Sequence, residues 1–296
     1  MTLAPQKTGC PLISVVIPSY NQGGFLEETI RSVLDQTYPN REIIVIDGGS
    51  SDESVQIIKR YAVHFRYWVS EPDRGQSHAI NKGFALAMGD VLAWLNSDDT
   101  YLAGALEAVA HVFENAPEID LVYGDYLDTD PGGVPLRRHH LFSRLSYNTL
   151  LFHDYLGQPA TFFRRGLYKS VGPIDEALHS HMDWDLWLRM WKVARVRHLK
   201  RVLATSRLHM DAKTSQEDTE RYTASGHLVQ RRHMPQRFRS DFANRIWYRI
   251  MFILNLGVRA WVVMRDNPFD YIKLLRQRFP GKRMWTLWRM RLRSPF

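Results

Sequence analysis

With a single cysteine, Cys10, the chain can form no internal disulfide and has no cysteine set to hold zinc. Such sparing use fits a reducing cytosol. Residues Met1 to Lys7 lack the apolar centre of a secretory signal, so the chain is expected to stay in the cytoplasm. Long uncharged apolar runs are missing as well. The stretch 245–264 is apolar and aromatic, but Arg249 and Arg259 interrupt it. Each arginine costs roughly 2.5 to 3.5 kcal/mol at a bilayer centre, which argues against a spanning helix. Neither Gly-x-Gly-x-x-Gly nor Gly-x-x-x-x-Gly-Lys follows the first apolar run, which disfavours a dinucleotide fold and a P-loop enzyme. Acidic residues are nearly absent from the last quarter: residues 228–296 hold 3 against 16 Lys and Arg, whereas residues 1–227 hold 28 against 23. The net charge of +8 therefore belongs to the tail.

What is present is an ordinary globular composition, 45% hydrophobic and 24% charged over 296 residues, enough for one large domain and an appendage. Four β-rich runs, Ile13 to Ile17, Ile43 to Asp47, Arg66 to Val69 and Val91 to Leu95, alternate with segments of helical period. Phe25, Ile30, Val33 and Leu34 share one helical face, as do Val55, Ile58 and Tyr61, then Ile80, Phe84 and Leu86. This alternation predicts an α/β fold with a Rossmann-like, mostly parallel sheet flanked by helices. Beyond a helix at Leu102 to Asn115 the pattern is mixed. Strands are expected at Leu121 to Tyr126, near Ala160 to Phe163, at His198 to Leu203 and at Thr205 to His209. A turn falls at 130–133, with helices from Asp183 to about Ala194 and from near Ser215. The divisions are a lead at 1–11, a domain at 12–235 with halves at about 12–115 and 116–235, and a basic, aromatic helical tail at 236–296.

In an open α/β sheet the ligand crevice lies outside the carboxyl ends of the strands. Asp98 and Asp99 close the fourth run and Asp47 closes the second, so these acids are candidates to face a site. Each also has a local role to weigh. Asp-Asp suits a turn or a helix cap, Asp47 in Asp-Gly-Gly suits an Asx-turn, and Asp52 reads as a helix cap. Arg74, Asn81 and Lys82 follow the third run, where a cation could meet phosphate or simply be solvated.

Taken together, Ile13-Ser-Val-Val-Ile-Pro-Ser-Tyr-Asn21, Ile43-Ile-Val-Ile-Asp-Gly-Gly-Ser-Ser-Asp52, Asn81-Lys-Gly83 and Leu95-Asn-Ser-Asp-Asp99 resemble family 2 of the inverting nucleotide-sugar glycosyltransferases in order and spacing. Asp183-Trp-Asp-Leu-Trp-Leu-Arg189 and Arg207-x-His209 extend the resemblance to roughly residues 12–215. It implies the glycosyltransferase A fold and a divalent ion, Mn²⁺ or Mg²⁺, between an acidic loop and the donor diphosphate. By that resemblance Asp99 is the metal ligand, and Asp98 binds the ribose or completes the metal shell. Pro18, Tyr20 and Asn21 line the base pocket, Asp47 bonds base or ribose, and Lys82 meets phosphate. His209 ligates the metal or donates to phosphate. Asp183 is the base that deprotonates the acceptor, with Asp185 the alternative. Trp184 and Asp185 lie on the acceptor side. Gln158, in Gly157-Gln-Pro-Ala-Thr161, is either an acceptor contact or part of a turn entering a strand. Two departures stand out: His78 and Met182 occupy positions where many relatives carry an acid.

The tail is read from its residues alone. At about 100° per residue, Arg245, Arg249, Asn255 and Arg259 fall opposite Trp247, Ile250, Leu254, Val258 and Trp261, a pattern suited to a helix in the membrane interface. Lys282 to Arg293 adds a second basic stretch attractive to anionic lipid. A helical hairpin packing on the domain or on a second subunit is the other reading. Nucleic acid is not expected, since no binding module accompanies the charge. The expectation is a cytoplasmic enzyme, peripheral on the inner membrane face through 245–293, moving a sugar from a nucleotide donor, foremost a UDP-sugar, to a glycan or lipid-linked acceptor in cell-surface polysaccharide or glycolipid synthesis. The rivals are a nucleotidyltransferase of similar fold, whose glycine-rich basic loop is missing, and a non-catalytic nucleotide-sugar or glycan-binding protein.

Overall fold

The computed structural model describes residues 10–141, 146–152, 154–210, 212 and 219–234. The chain divides into two compact units, Met1–Met234 and Pro235–Phe296. The expected tail helix and the stretch at 282–293 lie outside the described residues. Among the described residues no helix is long and apolar enough to cross a membrane.

The first unit is built on a mixed sheet with helices packed against it. Its first half is a βα series: β1 (Ile13–Ser19), α1 (Gly23–Leu34), β2 (Arg41–Asp47), α2 (Ser54–Tyr61), β3 (Tyr67–Ser70), α3 (Gln76–Leu86) and β4 (Val91–Trp94). These strands are parallel neighbours in the order β3-β2-β1-β4. β1 and β4 are buried along their whole length, as continuous apolar runs in a doubly covered parallel sheet must be. Pro18 sits inside central β1, where a missing N–H would normally break a ladder. It is tolerated because the pairing of β1 with β4 ends at Val16.

The second half is more antiparallel. It runs β5 (Thr100–Tyr101), α4 (Ala105–Asn115), β6 (Leu121–Thr129), β7 (Pro135–His139), α5 (Tyr147–Phe152), β8 (Thr161–Arg164), α6 (Arg165–Val171), α7 (Met182–Trp191), β9 (Val196–Arg207) and α8 (Thr219–His233). β8 pairs antiparallel with β4 and β6, and β6 pairs parallel with β9, so the order continues β4-β8-β6-β9-β5, with β7 on β6. The two strands expected at 198–203 and 205–209 are one strand whose register against β6 shifts around Asp125, so the apparent break is a bulge. β5 and β7 are additions. β5 is two residues long, and β7 is exposed at four of its five residues, so neither carries the alternating apolar pattern that marks a strand.

Candidate active site

At the carboxyl ends of β1 and β2 two turns are laced together. Asn21 adopts φ of +50°, a conformation asparagine tolerates better than most residues. Its N–H donates to Ser50 Oγ at 2.8 Å, and its Oδ1 accepts the Ser51 N–H at 2.9 Å. Asp52 accepts from the N–H groups of Gly23 (2.8 Å) and Ser54 (3.0 Å), satisfying orphan donors at the starts of α1 and α2 together. Tyr20 is exposed beside this lacing, close enough to Gly48 that a Cβ there would stand 3.2 Å from the ring.

Asp47 is not open to a ligand as the resemblance implies. It is fully buried, and its oxygens accept from the Gly49 and Ser50 N–H groups and from the Ser50 and Ser70 hydroxyls. A carboxylate has about four acceptor sites, so this one is filled by its own Asx-turn. Lys82 likewise meets a protein partner, Glu71, whose N–H donates to the Asp47 carbonyl. Arg74 pairs with Glu176 at 2.7 Å. Asn81 bridges the loop before α7, donating to the Ile174 carbonyl and accepting its N–H.

The acidic pair after β4 divides its work. Asp99 is 3% exposed, and its carboxylate accepts the Arg207 N–H at 3.0 Å and the Asn96 amide at 3.2 Å. Burial, and then the charge of Asp98, push it well above the usual carboxylate range. Asp98 meets His209, with Nε2 and Oδ2 3.0 Å apart. The His209 ring lies 4.4 Å from that of Phe25. The Arg207 guanidinium stands 5.0 Å over Phe25 and donates to the Asp98 carbonyl, the Pro131 carbonyl and Glu28. Asp98 and His209 are thus held by a frame that leaves His209 Nδ1 buried with no hydrogen-bond partner.

Among the described residues no group of three or more His, Cys, Asp or Glu gathers to hold a metal ion. Two side chains, one oxygen and one nitrogen, still fit Mg²⁺ or Mn²⁺ in a site where substrate phosphates and water complete the shell. Asp98 and His209 are such a pair.

Asp183 lies in the first turn of α7. It is partly exposed, and its Oδ1 accepts the Trp184 N–H at 2.9 Å. Asp185 is different: 1% exposed, it accepts from Arg189 (2.9 Å), His233 (2.8 Å) and Arg232 (3.2 Å). Burial opposes its charge, but the His233 hydrogen bond and Arg189 outweigh it and hold the carboxyl at about 2. Enclosed in this way it cannot serve as a base. Trp184 is buried too and gives its indole N–H to the Leu150 carbonyl at 2.7 Å, so its role is packing and not acceptor contact. Gln158 donates to the Trp94 carbonyl at 2.7 Å, at the end of β4.

The tertiary structure adds groups that the motifs do not mark. Tyr126 stacks on His139 across the β6–β7 pair at 4.2 Å, and His139 bonds Asp128 at 2.6 Å. Asp154 lies near enough to Asp183 for that charge to act on it. No local signal singles out Asp154, because it lies outside the quoted strings.

A parallel βα half whose strand ends carry acids, joined through one sheet to a more antiparallel half, is the glycosyltransferase A arrangement. Two solved structures share it. One is Staphylococcus aureus TarS 1-349 in complex with UDP-GlcNAc (TM-score 0.60, 19% identity, 73% of this chain and 65% of that one). The other is the mannosyltransferase PcManGT of Pyrobaculum calidifontis with GDP-Man and Mn²⁺ (TM-score 0.55, 15% identity, 93% and 86%). The chain belongs to glycosyl transferase family 2, whose model matches residues 14–171. An uncharacterized glycosyltransferase of Rickettsia felis is 32% identical over 221 residues, 70% of this chain. The chain spans only 36% of that relative. A PGL/p-HBAD biosynthesis glycosyltransferase of Mycobacterium tuberculosis is 31% identical over 183 residues, covering 60% of this chain and 69% of the relative.

Proposed function

We propose that the chain transfers a sugar, with inversion, from a nucleotide diphosphate sugar to a glycan or lipid-linked acceptor, and that the donor is a UDP-sugar. The observation that carries the reading is the Asp98–His209 pair set by Arg207 and Phe25 at the β4 end, with the free Asp183 carboxylate on the acceptor side. Family membership supports the reaction type. TarS with UDP-GlcNAc supports uridine, while PcManGT with GDP-Man leaves guanosine as the alternative. The mycobacterial relative, named for PGL synthesis, supports a glycolipid acceptor.

In this reading Tyr20 and Asn21 contact the base at the laced turns, with Pro18 and Asp47 shaping the pocket wall and Lys82 at its rim. Asp98 and His209 hold Mn²⁺ or Mg²⁺, which when bound offsets the charge that builds on the diphosphate. Asp183 accepts the proton of the acceptor hydroxyl as that oxygen bonds to the anomeric carbon and the carbon–phosphate oxygen bond breaks. The basic, Trp-bearing stretches within 245–293 support peripheral contact with the inner membrane face.

The test is thermal unfolding with UDP, GDP and dTDP, each with and without Mn²⁺. A ligand at a hundred times its dissociation constant adds about 2.7 kcal/mol, a shift of several degrees. The expected result is a metal-dependent shift with UDP that Asp98→Asn abolishes. No shift with any nucleotide overturns the reading.

A further inference from the structure

We propose that Tyr222 and Ser225 of α8 are positioning residues for the reaction, holding through His181 and Ser180 the turn that carries Asp183. The inference rests on Asp183 being the base.

The turn ahead of α7 is one that has to be held. His181, the residue before the helix, has φ of +56°, in the left-handed region that residues with a Cβ seldom occupy. Among the described residues Asn21, in the laced turns of the β1 and β2 ends, is the other non-glycine that does so. A backbone of this kind persists where its surroundings impose it. The His181 carbonyl accepts the Asp185 N–H at 3.0 Å, which closes the first turn of α7 around Asp183. The direction in which α7 leaves the loop, and with it the place of the Asp183 carboxylate, is therefore set at His181.

α8 supplies the contacts that impose it. The Tyr222 ring lies 4.2 Å from that of His181, tilted by 46°. One turn further on, Ser225 Oγ donates to the Ser180 carbonyl at 2.9 Å. Gly226 brings the helix backbone so near that a Cβ there would stand 3.4 Å from the His181 ring. These three residues share one helical face. The same helix meets α7 again at its last turn, where His233 and Arg232 bond Asp185 and Arg232 also pairs with Asp175 at 2.7 Å. α8 thus grips the chain at 180–181 and again at 185, on either side of Asp183 in sequence. Its far end is itself anchored, since the His233 carbonyl accepts the Tyr147 hydroxyl of α5 at 3.1 Å. Tyr222 is 41% exposed and Ser225 contributes a single hydrogen bond here, so truncating either leaves the hydrophobic interior intact. What they govern is the geometry of the turn, and a displacement of about 1 Å at a reacting group costs about a hundredfold in rate.

The experiment compares the full native chain with Tyr222→Ala, Tyr222→Phe and Ser225→Ala by hydrogen exchange and by turnover. Exchange in the segment 181–186 is expected to quicken several-fold in both alanine variants, while that of the segment 95–99 stays as in the native chain. Turnover is followed as Mn²⁺-dependent hydrolysis of UDP-N-acetylglucosamine, UDP-glucose and UDP-galactose, in which a water oxygen bonds to the anomeric carbon, UDP leaves and Asp183 takes the proton. The alanine variants are expected to lose roughly tenfold to a hundredfold in kcat with KM within about twofold. Tyr222→Phe keeps the ring against His181 and is expected to restore both readouts. Unchanged exchange in 181–186, equal quickening of both segments, or a Tyr222→Phe chain that behaves like Tyr222→Ala overturns the proposal. So does quickened exchange with kcat unchanged. Should none of the three donors be hydrolysed, the exchange pattern decides alone, and should Tyr222→Ala fail to fold, Ser225→Ala decides. Failure of the base assignment shows separately, as Asp183→Asn hydrolysing donor at the native rate.

Discussion

Asp99 accepts the backbone N–H of Arg207 at 3.0 Å, joining the loop after β4 to the last residue of β9 across more than a hundred residues of chain. Its neighbour Asp98 meets His209 instead. One acid of the pair holds the frame, and the other is presented by it.

Asp99→Ala and Asp98→Asn are therefore expected to fail differently. Removing the Asp99 carboxylate orphans a buried N–H and should cost about 1 to 3 kcal/mol in urea unfolding. Asp98→Asn should leave the unfolding free energy within about 0.5 kcal/mol, while losing the Mn²⁺-dependent response to nucleotide. Equal destabilisation by both would refute the division.

Asp183→Asn keeps an oxygen for the Trp184 N–H, so the fold should survive. Transfer should drop roughly a hundredfold to ten-thousandfold, the usual contribution of a general base, with nucleotide affinity unchanged. Single-turnover rates alongside nucleotide titrations check both halves.

The cluster around Asp185 sets an acid limit on stability. The carboxyl is held at about 2 in the fold, against about 3.9 in an unfolded chain. The folded value is depressed, so the stabilisation is present above about pH 4 and is lost as pH falls towards 2, by about 2 to 3 kcal/mol. Urea unfolding at a series of pH values should show this slope. Asp185→Asn should remove the slope and lower stability at neutral pH, because Arg189 and His233 lose a charged partner.

Gly83 is where α3 approaches β1. A Cβ there would stand 2.3 Å from Val16 Cγ1, inside a contact that side chains do not make. Gly83→Ala should cost about 1 to 3 kcal/mol by overpacking, read as a lower midpoint with an unchanged denaturant slope.

That glycine shows what kind of information the linear string carried. Asn81-Lys82-Gly83 is visible as a motif, but its meaning is packing: Gly83 lets the helix onto Val16, and Asn81 pins the 174 loop. The four parallel strands were readable because a sheet covered on both faces needs unbroken apolar runs. β5 and β7 were not, since a two-residue pair and an exposed edge bury too little to leave a pattern. Asp52 as a cap was legible because capping is local, and the fold puts it on two helices at once.

The sequence by itself determined the βα order, the acids at the strand ends and the family, because these follow from periodicity and from chemistry within a few residues. Tertiary structure decided which partners each acid has. Asp47, Asp99 and Asp185 are enclosed by several partners, two of them by groups far along the chain, while the Asp98 carboxylate meets His209 and that of Asp183 takes the Trp184 N–H. A carboxylate's availability depends on which donors reach it through space, and the motif alone does not contain that information.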